Sequence, residues 1–83
     1  MMVPIGLENF IRADDIVAVI KPDSSSAKKL RRNAEDTQML INATGGRKSR
    51  SLIVMKSNHV ILSALQTTTM KERIVNQKMK LVE

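Results

Sequence analysis

Met39-Leu40-Ile41-Asn42-Ala43-Thr44-Gly45-Gly46-Arg47-Lys48-Ser49-Arg50-Ser51-Leu52-Ile53-Val54-Met55 is the stretch on which the reading of this chain turns. Two apolar runs flank two glycines and the cations Arg47, Lys48 and Arg50. Apolar, turn, apolar is the pattern of two strands joined by a hairpin, here from Met39–Ala43 to residues 50–56. Glycine tolerates the positive φ of a tight turn and leaves the backbone uncovered for a close partner. A bare, basic tip on a rigid sheet suits phosphate binding. The plainer alternative is a solvated hairpin end, where Gly and Lys are common.

Composition narrows the function classes. At 83 residues the chain is one small domain spanning 1–83. Cysteine is absent, which excludes a disulfide framework and a thiolate metal site. No apolar run reaches the roughly 18–20 residues that span a bilayer. Met1-Met2-Val3-Pro4-Ile5 has neither a basic n-region nor a small-residue cleavage site, so the expected location is cytoplasmic. Fourteen Lys and Arg against eight Asp and Glu leave a net charge of +6. So basic a small chain implies an anionic partner, nucleic acid before a membrane surface. Phe10 is the only aromatic, too little for the base-stacking platforms of single-strand and RNA modules. Duplex DNA held through its backbone is therefore the favoured partner.

Upstream, Val3, Ile5 and Leu7 alternate as in a half-buried strand, with Gly6 marking a bulge or bend, and Phe10-Ile11 follow within 9–12. Arg12 to Asp15 reads as a turn. Ile16 to Ile20 is a β-rich apolar strand stopped by Pro22. Asp or Ser within 23–26 caps a helix over about 26–37, whose modest apolar face is Ala27, Leu30, Ala34 and Thr37. Lys28, Lys29, Arg31 and Arg32 fill its first half, and Glu35 and Asp36 its end. That order opposes the helix dipole, which favours the reverse by about 0.3–1 kcal/mol per charge. Pairing of Arg31 with Glu35 and Arg32 with Asp36 competes with a phosphate-contact role and leaves Lys28 and Lys29 unexplained.

Downstream, Lys56 to His59 is a turn and Val60 to Leu65 the last strand. His59, with no second His or Cys, reads as the residue that begins that strand. Thr69 and Glu72 have the spacing of a capping box for a final helix. Met70, Ile74 and Leu81, with Val75, Met79 and Val82 beside them, make its apolar surface broad. Lys71, Arg73, Lys78 and Lys80 take its other faces. Residues 16–20, 52–55 and 60–65 are apolar on both faces, which requires cover on both sides of the sheet. Two short helices cover one face well and the other poorly, so another copy of the chain is expected against the remainder. No nucleophile–base–acid set is visible, so neither an enzyme nor a small-molecule substrate is expected, and no cofactor.

Ile5-Gly6, Asn9, Ile16 to Pro22, Met39-Leu40-Ile41, Ala43-Thr44, Gly46-Arg47, Arg50, Val54-Met55 and above all His59-Val60-Ile61-Leu62-Ser63-Ala64 resemble the RemA family of bacterial extracellular matrix regulators. The resemblance spans roughly residues 5–73. It implies a DNA-binding regulator of transcription, and of biofilm matrix genes, that forms ring-like oligomers. The family's two adjacent basic turn residues fall on Arg47 and Lys48. A further family arginine falls on Asp15, an aromatic on Gly45 and an acid on Lys56. Asp15→Arg is accordingly expected to tighten DNA binding, by up to about 1–2 kcal/mol per contacting subunit.

The combined expectation is an α+β fold, an antiparallel-rich sheet of four to five strands with two helices, assembling into a ring-like homo-oligomer. DNA contacts are expected at Arg47, Lys48 and Arg50, with Lys28, Lys29 and Arg32 beside them. Two other classes fit a small basic chain: an RNA-binding or ribosome-associated ring protein, and a scaffold for acidic partners.

Overall fold

A computed structural model describes the backbone of residues 1–82 and the side chains of residues 1–76. The elements run β1 (Met2–Gly6), β2 (Asn9–Arg12), a single 3-10 turn (Ala13–Asp15), β3 (Ile16–Ile20), α1 (Ser25–Asp36), β4 (Leu40–Asn42), β5 (Ser51–Met55), β6 (Val60–Ser63) and α2 (Thr67–Val82). The architecture is α+β, as expected. It divides into a two-stranded β1–β2 sheet and a four-stranded mixed sheet of order β3-β5-β6-β4.

The connection through Gly45 and Gly46 is not a hairpin. β4 lies parallel to β6, with Leu40 opposite Val60 and Asn42 opposite Leu62, and β5 lies on the far side of β6. Residues 43–50 therefore cross over the end of β6. The physical reason is length and competition. A hairpin loop takes about 2–5 residues, fewer than the run from Ala43 to Arg50. The short turn at 56–59 instead joins β5 to β6, pairing Leu52 with Leu62 and Val54 with Val60. The four-stranded sheet is thus mixed: the pairings β3–β5 and β5–β6 are antiparallel, as expected of an antiparallel-rich sheet, and β4–β6 is parallel.

Both faces of the central strands are covered, as their two-sided apolar runs require. All of β6 is buried, and four of the five residues of β5. Ile53, Met55 and Ile61 pack with Val3, Ile5 and Ile11 of the β1–β2 ribbon and with Met70 of α2. Leu52, Val60 and Leu62 face Ala27 and Ala34 of α1, whose small side chains let the helix approach the sheet. The second face is thus covered by the β1–β2 ribbon joined to α2, an arrangement that two helices alone did not suggest. The edge strands are less covered. Val17, beside the register shift between Ile16 and Ala18 of β3, is 63% exposed, and Ile41 of β4 is 46% exposed.

Local chemistry sets the helix ends. Ser24 Oγ accepts from the Ala27 amide at 3.1 Å, fulfilling the cap expected in 23–26. At the other end Gln38 turns left-handed at φ +59°. Its amide bonds Glu35 O at 3.2 Å and the Met39 amide bonds Ala34 O at 2.8 Å, the paired bonds of a Schellman stop. The expected capping box at Thr69 does not form, because α2 already begins at Thr67 and places Thr69 inside the helix. Met70 is fully buried and Ile74 partly so, whereas Val75 is exposed. Lys71 is exposed, but Arg73 turns inward and donates to Pro4 O at 3.0 Å. The readings placed on Lys78, Met79, Lys80, Leu81 and Val82 side chains lie outside the described residues.

Candidate nucleic-acid interface

The register of the sheet fixes which segments meet. Ile20 pairs with Leu52, Ser51 with Ser63, and Asn42 with Leu62, so the C-terminal ends of β3, β4 and β6 and the start of β5 share one end of the sheet. The crossover 43–50 runs along that end. Lys21-Pro22-Asp23 leaves β3 there, and α2 begins there after Ser63.

The crossover is anchored at both sides of its basic part. Asn42 Oδ1 accepts from the Thr44 amide at 3.0 Å and from Thr44 Oγ1 at 2.6 Å, and Thr44 is buried. The Arg47 amide donates to Thr44 O at 3.2 Å and the Arg50 amide to Ser63 O at 2.8 Å. Between these anchors Gly45 and Gly46 adopt φ of +61° and +86°. A Cβ at Gly45 would overlap Leu7 Cδ1 from the β1–β2 turn, so Leu7 occupies the space above this glycine. A Cβ at Gly46 would meet nothing, leaving that backbone open to a partner. Ser63 ties the same end to the ribbon: its buried Oγ donates to Ile5 O at 2.8 Å and accepts from the Leu65 amide at 3.1 Å.

Arg47, Lys48 and Arg50 are all exposed. The ion pairs among the described residues are Arg12–Asp15 and Arg31–Glu35, so none of these cations is held by a carboxylate there. Lys48 and Arg50 line an open cleft of about 340 Å³ together with Lys21, Asp23, Thr67 and Thr68. Arg47 stands outside the cleft. Lys28, Lys29 and Arg32 are exposed on α1, a helix packed on one face of the sheet, and none of them lines the cleft. Arg31 bonds Glu35 at 3.2 Å, as its spacing allowed, whereas Arg32 and Asp36 form no pair.

Lys21 and Thr67-Thr68 were missed as neighbours of the basic segment. The signal was Lys21-Pro22 directly after an apolar strand. It becomes interpretable once β3 is paired antiparallel with β5, Ile20 opposite Leu52, which sets the end of β3 beside the start of β5. Asp15 lies elsewhere. It precedes Ile16, whose partner is Met55, and its carbonyl accepts from the Lys56 amide at 2.7 Å. That is the opposite end of the sheet, where Arg12 Nε stands 3.6 Å from the Asp15 carboxylate.

Comparison with known proteins agrees with the motif reading. The model of the RemA-like family, described as extracellular matrix regulatory protein A-like, matches residues 2–74. A protein of Nitratidesulfovibrio vulgaris (strain DP4) is 47% identical over 76 residues, 92% of this chain and 88% of its own. One from Desulfosudis oleivorans is 51% identical over 69 residues, 83% of this chain and 71% of its own. One from Fervidobacterium nodosum is 38% identical over 80 residues, 96% of this chain and 86% of its own. Each carries the name "Putative regulatory protein". With its Gly46-Arg47 crossover and its buried Val60-Ile61-Leu62-Ser63 strand inside the matched span, this chain belongs to the RemA-like family.

Proposed function

We propose that this chain is a non-enzymatic, cytoplasmic regulator of transcription that binds duplex DNA through the crossover Arg47-Lys48-Ser49-Arg50, repeated around a ring-like homo-oligomer. One observation carries this reading: three exposed cations without carboxylate partners among the described residues stand on a backbone pinned at Thr44 and Arg50. Arg47 offers a planar fork for bidentate phosphate contact, and Lys48 a point charge. Gly46 leaves room for the sugar–phosphate backbone to approach. Repetition in an oligomer raises avidity without a strong single site. The open edge strands, with Val17 and Ile41 exposed, support association. Regulation of extracellular matrix genes is the role the family's description suggests for it.

Arg47→Ala tests the interface. It is expected to weaken duplex binding by fourfold or more at 0.2 M salt, since each phosphate contact contributes roughly 0.9 to the log–log salt slope. Its melting temperature should stay close to the parent's, because an exposed side chain carries little folding energy. Wild-type affinity in this variant would exclude Arg47, at the tip of the crossover, as a contact. Light scattering at micromolar concentration should give a multiple of the 9.3 kDa chain mass, and a monomer would exclude the ring.

A further inference from the structure

We infer that the cleft beside the crossover is a seat for one DNA backbone phosphate, with Lys21 as a contact alongside Lys48 and Arg50. This rests on the duplex-DNA reading above and assigns a second contact region to it. The three cations come from segments distant in sequence, yet they line one cleft of about 340 Å³. Like charges gathered in one concavity oppose each other, and an anion placed among them removes that cost. Asp23 lines the same cleft but forms no ion pair with any of the three. The cleft therefore keeps a net positive charge.

Its remaining wall supplies hydrogen-bond donors. Thr67 and Thr68 open α2, no acidic side chain stands in that first turn, and the first amides of a helix have no partner within it. The positive end of the helix adds to the cations without carrying the site alone. The form of the occupant follows from what the wall lacks. Among the described residues no aromatic side chain lines the cleft and Pro22 is its one apolar residue, so nothing there stacks on a base. An open basic cleft with no base platform, continuous with the crossover, suits a phosphodiester within a polymer rather than a free nucleotide.

The experiment titrates one duplex against the full chain over several salt concentrations, comparing wild type, Lys21→Gln, Lys56→Gln and Arg47→Ala. Lys56 is an exposed cation at the opposite end of the sheet, so Lys56→Gln removes the same net charge away from the cleft. Lys21→Gln should lower affinity about fourfold at 0.2 M salt and flatten the log–log slope by about 0.9, as the loss of one phosphate contact does. Lys56→Gln should keep the wild-type slope. Equal behaviour of Lys21→Gln and Lys56→Gln overturns the phosphate seat. Should Arg47→Ala weaken binding in that case, the crossover reading stands and only the cleft is lost. Should Arg47→Ala bind like wild type while Lys21→Gln loses slope, the cleft holds DNA and the crossover tip does not. Failure of every form to bind duplex overturns both. Lys21 is exposed, so its replacement should leave the fold intact, and melting curves of the variants are the check.

Discussion

At one end of the four-stranded sheet, Lys21, Arg47, Lys48 and Arg50 stand exposed without carboxylate partners among the described residues. At the other end Arg12 and Asp15 face each other at 3.6 Å, and Ser57 Oγ lies 2.6 Å from His59 Nδ1. The connections differ in kind. The far end is closed by the tight turns at 13–15 and 56–59, whose polar groups are used locally: the Asn58 amide bonds Met55 O at 2.9 Å, and the Lys56 amide bonds Asp15 O. The basic end holds the one long crossing, residues 43–50, which passes from β4 to the non-adjacent β5, beside the short connections that lead from β3 into α1 and from β6 into α2. That crossing is anchored at a few points and leaves the side chains between them free. Arg47, Lys48 and Arg50 thus lie on the one long connection, and Lys21 joins them from the short connection that leaves β3 at the same end.

Three substitutions probe this contrast, and the strongest concerns the anchors of the basic end. Ser63→Ala removes a buried hydroxyl that bridges Ile5 O and the Leu65 amide. Leaving buried polar groups without partners costs about 1–3 kcal/mol, and each kcal/mol moves the melting point of a domain this size by about 4–8 °C. Thermal unfolding by circular dichroism should show that drop. No change would mean that the ribbon and α2 are not tied to the sheet through Ser63.

Gly45→Ala should act next. A side chain at φ +61° costs about 1–2 kcal/mol, and the added Cβ must also displace Leu7. Leu7 is half exposed and its tip is flexible, so the displacement is the smaller part. A double-mutant cycle separates them: Leu7→Ala with Gly45→Ala should lose less stability than the two changes added, by a few tenths of a kcal/mol. Strict additivity would mean that Leu7 does not rest on the crossover.

The smallest effect is expected at Asp15. Asp15→Arg breaks an exposed ion pair, worth about 0–1 kcal/mol. Five-residue strands at about 3.3 Å per residue put this end ~16 Å from the crossover, beyond a Debye length of roughly 8 Å at physiological salt. Within one chain the affinity gain should therefore stay near twofold, well under the 1–2 kcal/mol that close approach to a phosphate would bring. Fluorescence anisotropy with the duplex measures it. A tenfold gain would mean that a neighbouring copy brings its Asp15 end beside DNA bound at the crossover.

Much of this molecule is legible along the chain because the relevant physics is local. Strands at 16–20 and around 52–55 and 60–63 follow from unbroken β-branched and apolar runs. The first helix follows from the Ser24 cap and the spacing of Ala27, Leu30 and Ala34. The basic character of Arg47, Lys48 and Arg50 follows from identity alone. The alternation of Val3, Ile5 and Leu7 marked the first strand but not what it covers, and Leu7 lies past its end, exposed in a left-handed turn. Strand pairing was not legible, because apolar runs state that a strand is buried and not which neighbour buries it. A glycine pair between two such runs reads as a hairpin whether the chain doubles back or crosses over β6. Free energy chose between them: β5 and β6 close a short turn with little loop entropy, and the parallel place beside β6 was left for β4. The antiparallel pairing of β5 with β6 sets the start of α2 beside the crossover, and that of β3 with β5 brings Lys21 there and sends Asp15 to the other end. Residue types were therefore determined by the sequence, but their meeting in one cleft was decided only by long-range packing of the sheet.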